Sequence, residues 1–125
     1  MTRYLISFPD GAMDFPEEDL PDVAKAAQAV VQAAKDAGVW VFGGGLTGHE
    51  EVSVVATDGT VTDGPNPDVI GGITIVDVPS RQEALKWAAK VAAACRCTQE
   101  VRAIGFDPEL DAMLREAAGR RPDDI

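Results

Sequence analysis

The sequence predicts an α+β domain built as a split βαβ arrangement, and three observations carry that prediction. Periodic segments follow one another as strand, helix, strand, hairpin, strand, helix, strand and terminal helix. Neither a short-period repeat nor a Pro/Gly/Ser-rich linker divides them. At 125 residues, with 46% apolar and 26% charged side chains, the chain suits one folded domain rather than a disordered one.

Residues 3–8 alternate apolar and polar positions with β-branched and aromatic content, which predicts a strand closed by Pro9-Asp10-Gly11. A polar, proline-bearing loop leads to a helix over 21–37, where Val23, Ala26, Ala27, Val30, Ala33, Ala34 and Ala37 recur at helical spacing. Asp19 is its candidate cap and Gly38 its stop. Residues 39–42 are apolar without a break and bounded by glycine, so they predict a strand buried on both faces and ended by Gly43-Gly44-Gly45.

Residues 51–57 and 60–62 flank Asp58-Gly59, a hairpin signal because the turn needs positive φ. Residues 72–78 form the next strand. Ser80-Arg81-Gln82-Glu83 has the form of a capping box, with the serine accepting from a backbone donor and the glutamate reaching back. The helix it opens runs through Ala84, Leu85, Trp87, Ala88 and Val91. A last strand over 100–104 and a third helix capped by Asp107-Pro108 and running to Gly119 complete the order, with 120–125 read as a frayed tail. The main domain is accordingly 1–105, followed by a C-terminal helix and tail over 106–125.

Two helices can cover only one face of such a sheet. Because strands such as 39–42 are apolar on both faces, a second copy of the chain is expected to cover the other, giving a symmetric homodimer with a cavity between sheets. The formal charge of −10 repels phosphate backbones and anionic lipid heads, so neither nucleic acid nor membrane is an expected partner. The opening residues reach Pro9 after too few apolar positions for a signal-peptide core, and no run of about 18 apolar residues occurs; a cytoplasmic location is expected. Cys95 and Cys97, two apart near a helix end, read as free thiols of a reducing compartment rather than as a disulfide or zinc site. No cofactor is implied.

Four short motifs then occur in order: Thr62-Asp63-Gly64-Pro65, Gly71-Gly72 before a strand, Glu83-Ala84-Leu85-Lys86-Trp87-Ala88, and Glu100-Val101-Arg102. Together they resemble the YCII-related family, in its branch named for an Asp-Gly-Pro-Phe motif, over about residues 3–105. The resemblance implies a ferredoxin-like, dimeric α+β barrel. It also implies, from proposals made for some relatives, a His and Asp pair for acid–base chemistry. The chain departs from the branch at position 66, where Asn replaces phenylalanine, and in a shorter, less charged connection over 66–70.

Asp63 is the first candidate catalytic residue, as a general base or as the partner that orients an imidazole. Its alternative is structural, an aspartate bonding its own backbone two residues on. His49, the only histidine, belongs to the residue type that ordinarily changes charge near neutral pH, and would complete the pair if its loop reached the same cavity. Otherwise it is a solvated side chain beside Glu50 and Glu51. His49-Glu50-Glu51 lacks the second histidine of the zinc-protease helix, so no metal is expected.

Ser7, Thr74 and Arg102, polar residues in apolar strands, are candidate ligand-binding residues, with the Arg102 guanidinium suited to an anionic group or, alternatively, to an ion pair. Tyr4, Trp40, Phe42 and Trp87 read as core. Gly43-Gly44-Gly45 lacks the spacing of a phosphate-binding loop. Two functions are compatible with these residues: a homodimer that binds a small organic, anionic molecule and performs isomerase- or lyase-type proton transfer, and a non-catalytic ligand-binding or regulatory dimer.

Overall fold

A computed structural model describes residues 1–118. The strands are β1 (Thr2–Pro9), β2 (Trp40–Gly45), β3 (Ser53–Val55), β4 (Val61–Asp63), β5 (Ile70–Val78) and β6 (Glu100–Ala103), and the helices are α1 (Leu20–Asp36), α2 (Arg81–Cys95) and α3 (Pro108–Ala118). Single 3-10 turns occupy Glu17–Asp19 and His49–Glu51. The main sheet has the order β2-β5-β1-β6, every pair antiparallel, and β3 with β4 forms a separate two-stranded hairpin.

Alternation along β1 and β5 decides what is buried. Opposed residues share a face, so the pairings Tyr4↔Val76 and Ile6↔Thr74 put Tyr4, Ile6, Thr74 and Val76 on one side. On that side Tyr4, Ile6, Val76 and Val78 pack with Ala84, Ala88 and Val91 of α2 to make the core. Alanines let α2 lie close to the β-branched side chains of the sheet. α1 packs chiefly on α2, with Val23 and Ala34 buried.

The helix ends follow local chemistry with two changes. The Ser80 hydroxyl accepts from the Glu83 amide at 3.2 Å, but the Glu83 carboxylate turns to Lys86 instead of reaching back. Asp19 makes no side-chain cap for α1, because its carboxylate pairs with Arg96 at 2.7 Å and so ties the start of α1 to the end of α2. Gly38, at φ +74°, ends α1, and the Asp107 carboxylate accepts from the amides of Glu109 and Leu110 at the start of α3. The expected end of α3 at Gly119 and the tail beyond it lie outside the described residues.

Two expectations need correction. The run over 39–42 is not buried on both faces: β2 is an edge strand, Phe42 is 60% exposed, and the glycine triplet continues the strand instead of ending it. An unbroken apolar run is compatible with a central or an edge strand, and an irregularity between Trp40 and Phe42 interrupts the alternation.

The second correction is the ferredoxin-like dimeric α+β barrel. Both sheets are open, with β2 and β6 as free edges of the larger one, and no barrel closes. The expectation that strands apolar on both faces need a second copy to cover them loses its support as well. The pairings Arg3↔Asp77, Leu5↔Arg102 and Ser7↔Glu100 put charged and polar side chains on the uncovered face among Leu5, Ile73 and Ile75, and Arg115 of α3 stands 3.8 Å from Asp77 at one end. A face alternating charge with aliphatic side chains tolerates water without a second sheet.

Candidate functional site

Two features emerge near the end of the main sheet where Gly43, Gly44, Gly45 and Gly72 lie. The first is a cavity of about 360 Å³ between the helix-covered face and the helix pair. Gly45 pairs with Gly72 and Gly43 with Thr74, so the face toward the helices carries little side-chain volume at these positions. Opposite stand Ala27, Val30 and Val31 of α1 and Val91, Ala94 and Cys95 of α2, none larger than valine, with Met13 from the loop before α1 at the side. Among the described residues no charged side chain lines it. Burial and then the neighbouring Cys97 push the Cys95 thiol up, which keeps it a neutral wall. Burial likewise raises Cys97, against a hydrogen bond from Gln99. Both cysteines are free thiols.

Trp40 and Phe8 frame the cavity, and glycines make their positions possible. A Cβ at Gly43 would stand 2.7 Å from Trp40 Cη2, and one at Gly72 would collide with three carbons of the Phe8 ring. Each ring therefore lies where only a glycine leaves room.

The second feature is the turn His49–Glu51. Asp10, just past the end of β1, accepts from the His49 amide at 3.1 Å and contacts His49 Nδ1 at 2.7 Å. An ionised carboxylate can only accept, so Nδ1 carries the proton and Nε2 is left facing Glu50 Oε1 at 3.4 Å. The hydrogen bonds from His49, side chain first and backbone second, hold the Asp10 carboxyl below its ordinary range. The pair is half-open to solvent, with Asp10 at 17% and His49 at 40% side-chain exposure.

Asp63 takes no part in this contact. Its carboxylate accepts from the Ser53 hydroxyl at 2.5 Å across the exposed hairpin, neither meeting the imidazole nor bonding its own backbone. The motif still supports the histidine through the main chain. The Gly64 amide donates to the Val52 carbonyl and the Asn66 amide to the His49 carbonyl at 3.0 Å. A Cβ at Gly64 would come within 2.8 Å of the Val52 carbonyl oxygen, so glycine is required for that approach.

The remaining candidates separate. Thr74 lines the cavity on the helix-covered side. Ser7, buried, and Arg102, exposed, lie on the opposite face, where Ser7 borders a shallow recess with Pro67, Asp68 and Glu100. Among the described residues Arg102 forms no ion pair. In the sequence Asp10 belongs to the turn that closes the first strand; it is 39 residues from His49, and nothing local distinguishes it from other strand-end aspartates. The described residues contain no cluster of His, Cys, Asp or Glu able to hold a metal ion, and no helix among them is long and apolar enough to cross a membrane.

A comparison with curated proteins finds no match. The family model of the YCII-related domain matches residues 12–105, a span that begins after β1 and takes in the His49 turn, the hairpin, the glycine floor of the cavity and both main helices. Covering most of the sequence, that match shows that the chain belongs to the YCII-related family.

Proposed function

We propose that this protein binds a small organic molecule without transforming it, in the cavity between the helix pair and the glycine end of the sheet. The observation that carries this reading is the cavity itself: about 360 Å³, within the range of ligand pockets, mostly apolar, and lined among the described residues by no charged side chain. Of Ser7, Thr74 and Arg102, only Thr74 lines this cavity, which supports it as the ligand's polar contact. The Asp63-Gly64-Pro65 triplet supports a place in the Asp-Gly-Pro-Phe branch with Asn66 in the fourth position, and the free thiols accord with a reducing, cytoplasmic setting.

The test is a thermal-shift screen of metabolites on the wild-type chain and on Gly45→Leu. A Cβ at Gly45 meets no atom within 4 Å, and its face is that of the cavity, so a leucine introduced there is expected to occupy the space. A hit at 100 times its dissociation constant stabilises the wild type by about 2.7 kcal/mol and leaves Gly45→Leu unshifted. Equal shifts in both proteins would place the ligand elsewhere and refute the reading.

One observation favours a second reading, proton transfer by His49. The 2.7 Å contact with Asp10 fixes the tautomer and leaves Nε2, which faces Glu50 Oε1 at 3.4 Å, as the nitrogen that would exchange a proton, with Asp10 in the orienting role that the sequence suggested for Asp63. In that case His49→Gln abolishes turnover of any substrate found, Asp10→Asn lowers it, and Asp63→Asn leaves it unchanged. Retention of turnover in His49→Gln excludes this chemistry.

A further inference from the structure

Resting on the ligand-binding reading, we propose that the cavity takes an uncharged, planar ring compound, seated between Phe8 and Trp40 and hydrogen-bonded by Thr74. The register supplies the geometry. Toward the helices β5 presents Gly72, Thr74 and Val76 in succession, with Phe8 of β1 opposite Gly72 and Trp40 of β2 opposite Val76.

The Trp40 ring does not stand above its own pairing partner. It reaches along β2 to Gly43, the residue opposite Thr74, while the Phe8 ring covers Gly72 from the other flank. Two aromatic rings on the strands either side of β5 thus bracket Thr74 and the bare backbone of Gly45. Aromatic walls favour a flat partner through offset or edge-to-face contact, which a puckered ring matches less well.

Charge and hydrogen bonding narrow the class further. An ionised ligand would leave water for a space with no counter-charge, whereas a neutral one loses little. The Thr74 hydroxyl can donate and accept, and among the described residues it has no protein partner. A ligand hydroxyl or carbonyl would satisfy it. The volume, near the lower end of the usual range for ligand pockets, suits one or two fused rings.

Three probes sharing one fused bicyclic ring frame test this: 2-naphthol, the carboxylate 2-naphthoate as the charged planar probe, and the saturated decahydro-2-naphthol. Calorimetric titration is expected to give 2-naphthol at least a tenfold lower dissociation constant than either of the others. Its amide shifts in the wild-type chain should centre on Gly43, Gly45 and Thr74, Gly45→Leu should remove binding, and Thr74→Val should weaken it roughly 2- to 12-fold, the loss of one hydrogen bond. Naphthoate or the saturated alcohol binding as tightly, with Gly45→Leu still blocking, would overturn the planar neutral class while leaving the cavity as the ligand site. Shifts confined to other residues would overturn the placement. If none of the probes and none of the screened metabolites binds, both readings fall. Because the amide shifts are read on the wild type, the placement is testable even if a variant does not fold.

Discussion

The two ends of the layer between the sheet and α2 are built on the same strands and the same helix, yet one is solid and the other hollow. Around Ile6, Val76 and Val78 the sheet presents large aliphatic side chains to Ala84 and Ala88, and all five are buried. A few residues along the same strands, glycines take over at 43, 45 and 72; the Trp40 and Phe8 rings cover the first and last of them, the space over Gly45 is left open, and a cavity of about 360 Å³ remains. Backbone topology is common to both ends. Side-chain volume at three or four positions separates core from site, because a protein interior closes only where the volumes on facing elements add up to fill it.

The sharpest way to break this comparison is to hollow the solid end. Ile6→Ala, at a fully buried position, is expected to cost about 2–5 kcal/mol, measured by urea unfolding, since it loses transfer energy and opens a new void. Adding volume at the hollow end should then divide by position. Gly72→Ala pushes against the Phe8 ring and should cost ~1–3 kcal/mol, whereas Gly45→Leu enters open space and should lie within about 1 kcal/mol of wild type. Equal costs for the two glycine substitutions would show that the space beside Gly45 is not open.

Ser80→Ala removes the cap of the helix that roofs both ends, with an expected loss of ~1 kcal/mol by the same measurement. Outside the layer, the Asp10–His49 contact gives a pH signature. The folded state holds Asp10 below its ordinary value of 3.8, so its contribution is present above about pH 4 and is lost as the pH falls through the depressed value. Asp10→Asn should therefore reduce the difference in stability between pH 6 and pH 3; an unchanged difference would show that the contact does not form in solution. Smallest is Asp63→Ala, whose partner Ser53 is exposed, with an expected change within about 0.5 kcal/mol.

The solid end was legible in the sequence because its signals are local. Alternation in β1, the 3.6-residue recurrence of alanine and valine in the first helix, the glycine at position 38 and the serine at position 80 each act within a few residues, and each holds in the structure. The hollow end was not. Gly43-Gly44-Gly45 read as the exit from a strand, although it continues β2 and forms part of the cavity floor, since glycine signals permission for a conformation or a close approach without saying which. The apolar run before it likewise did not say whether its strand would be central or an edge. His49 stood out by being the sole histidine, but its partner could not be chosen among many aspartates. The pairing depends on β1 and β2 both docking against β5, which brings residues 10 and 49 together at one end of the sheet. Ser7, Thr74 and Arg102 looked alike as polar residues in apolar strands, and only the register put Thr74 on the covered face and the other two on the open one.

By itself, then, the sequence determined the kinds and order of the elements and most of their ends, because propensity, periodicity and capping are settled between near neighbours. Tertiary structure alone decided that β2 would be an edge, that the large sheet would stay open, that Asp10 rather than Asp63 would meet His49, and that the glycines would lie opposite small helix residues to leave a cavity. Those outcomes depend on contacts between residues far apart in the chain, where register and strand order, not residue type, choose the neighbour.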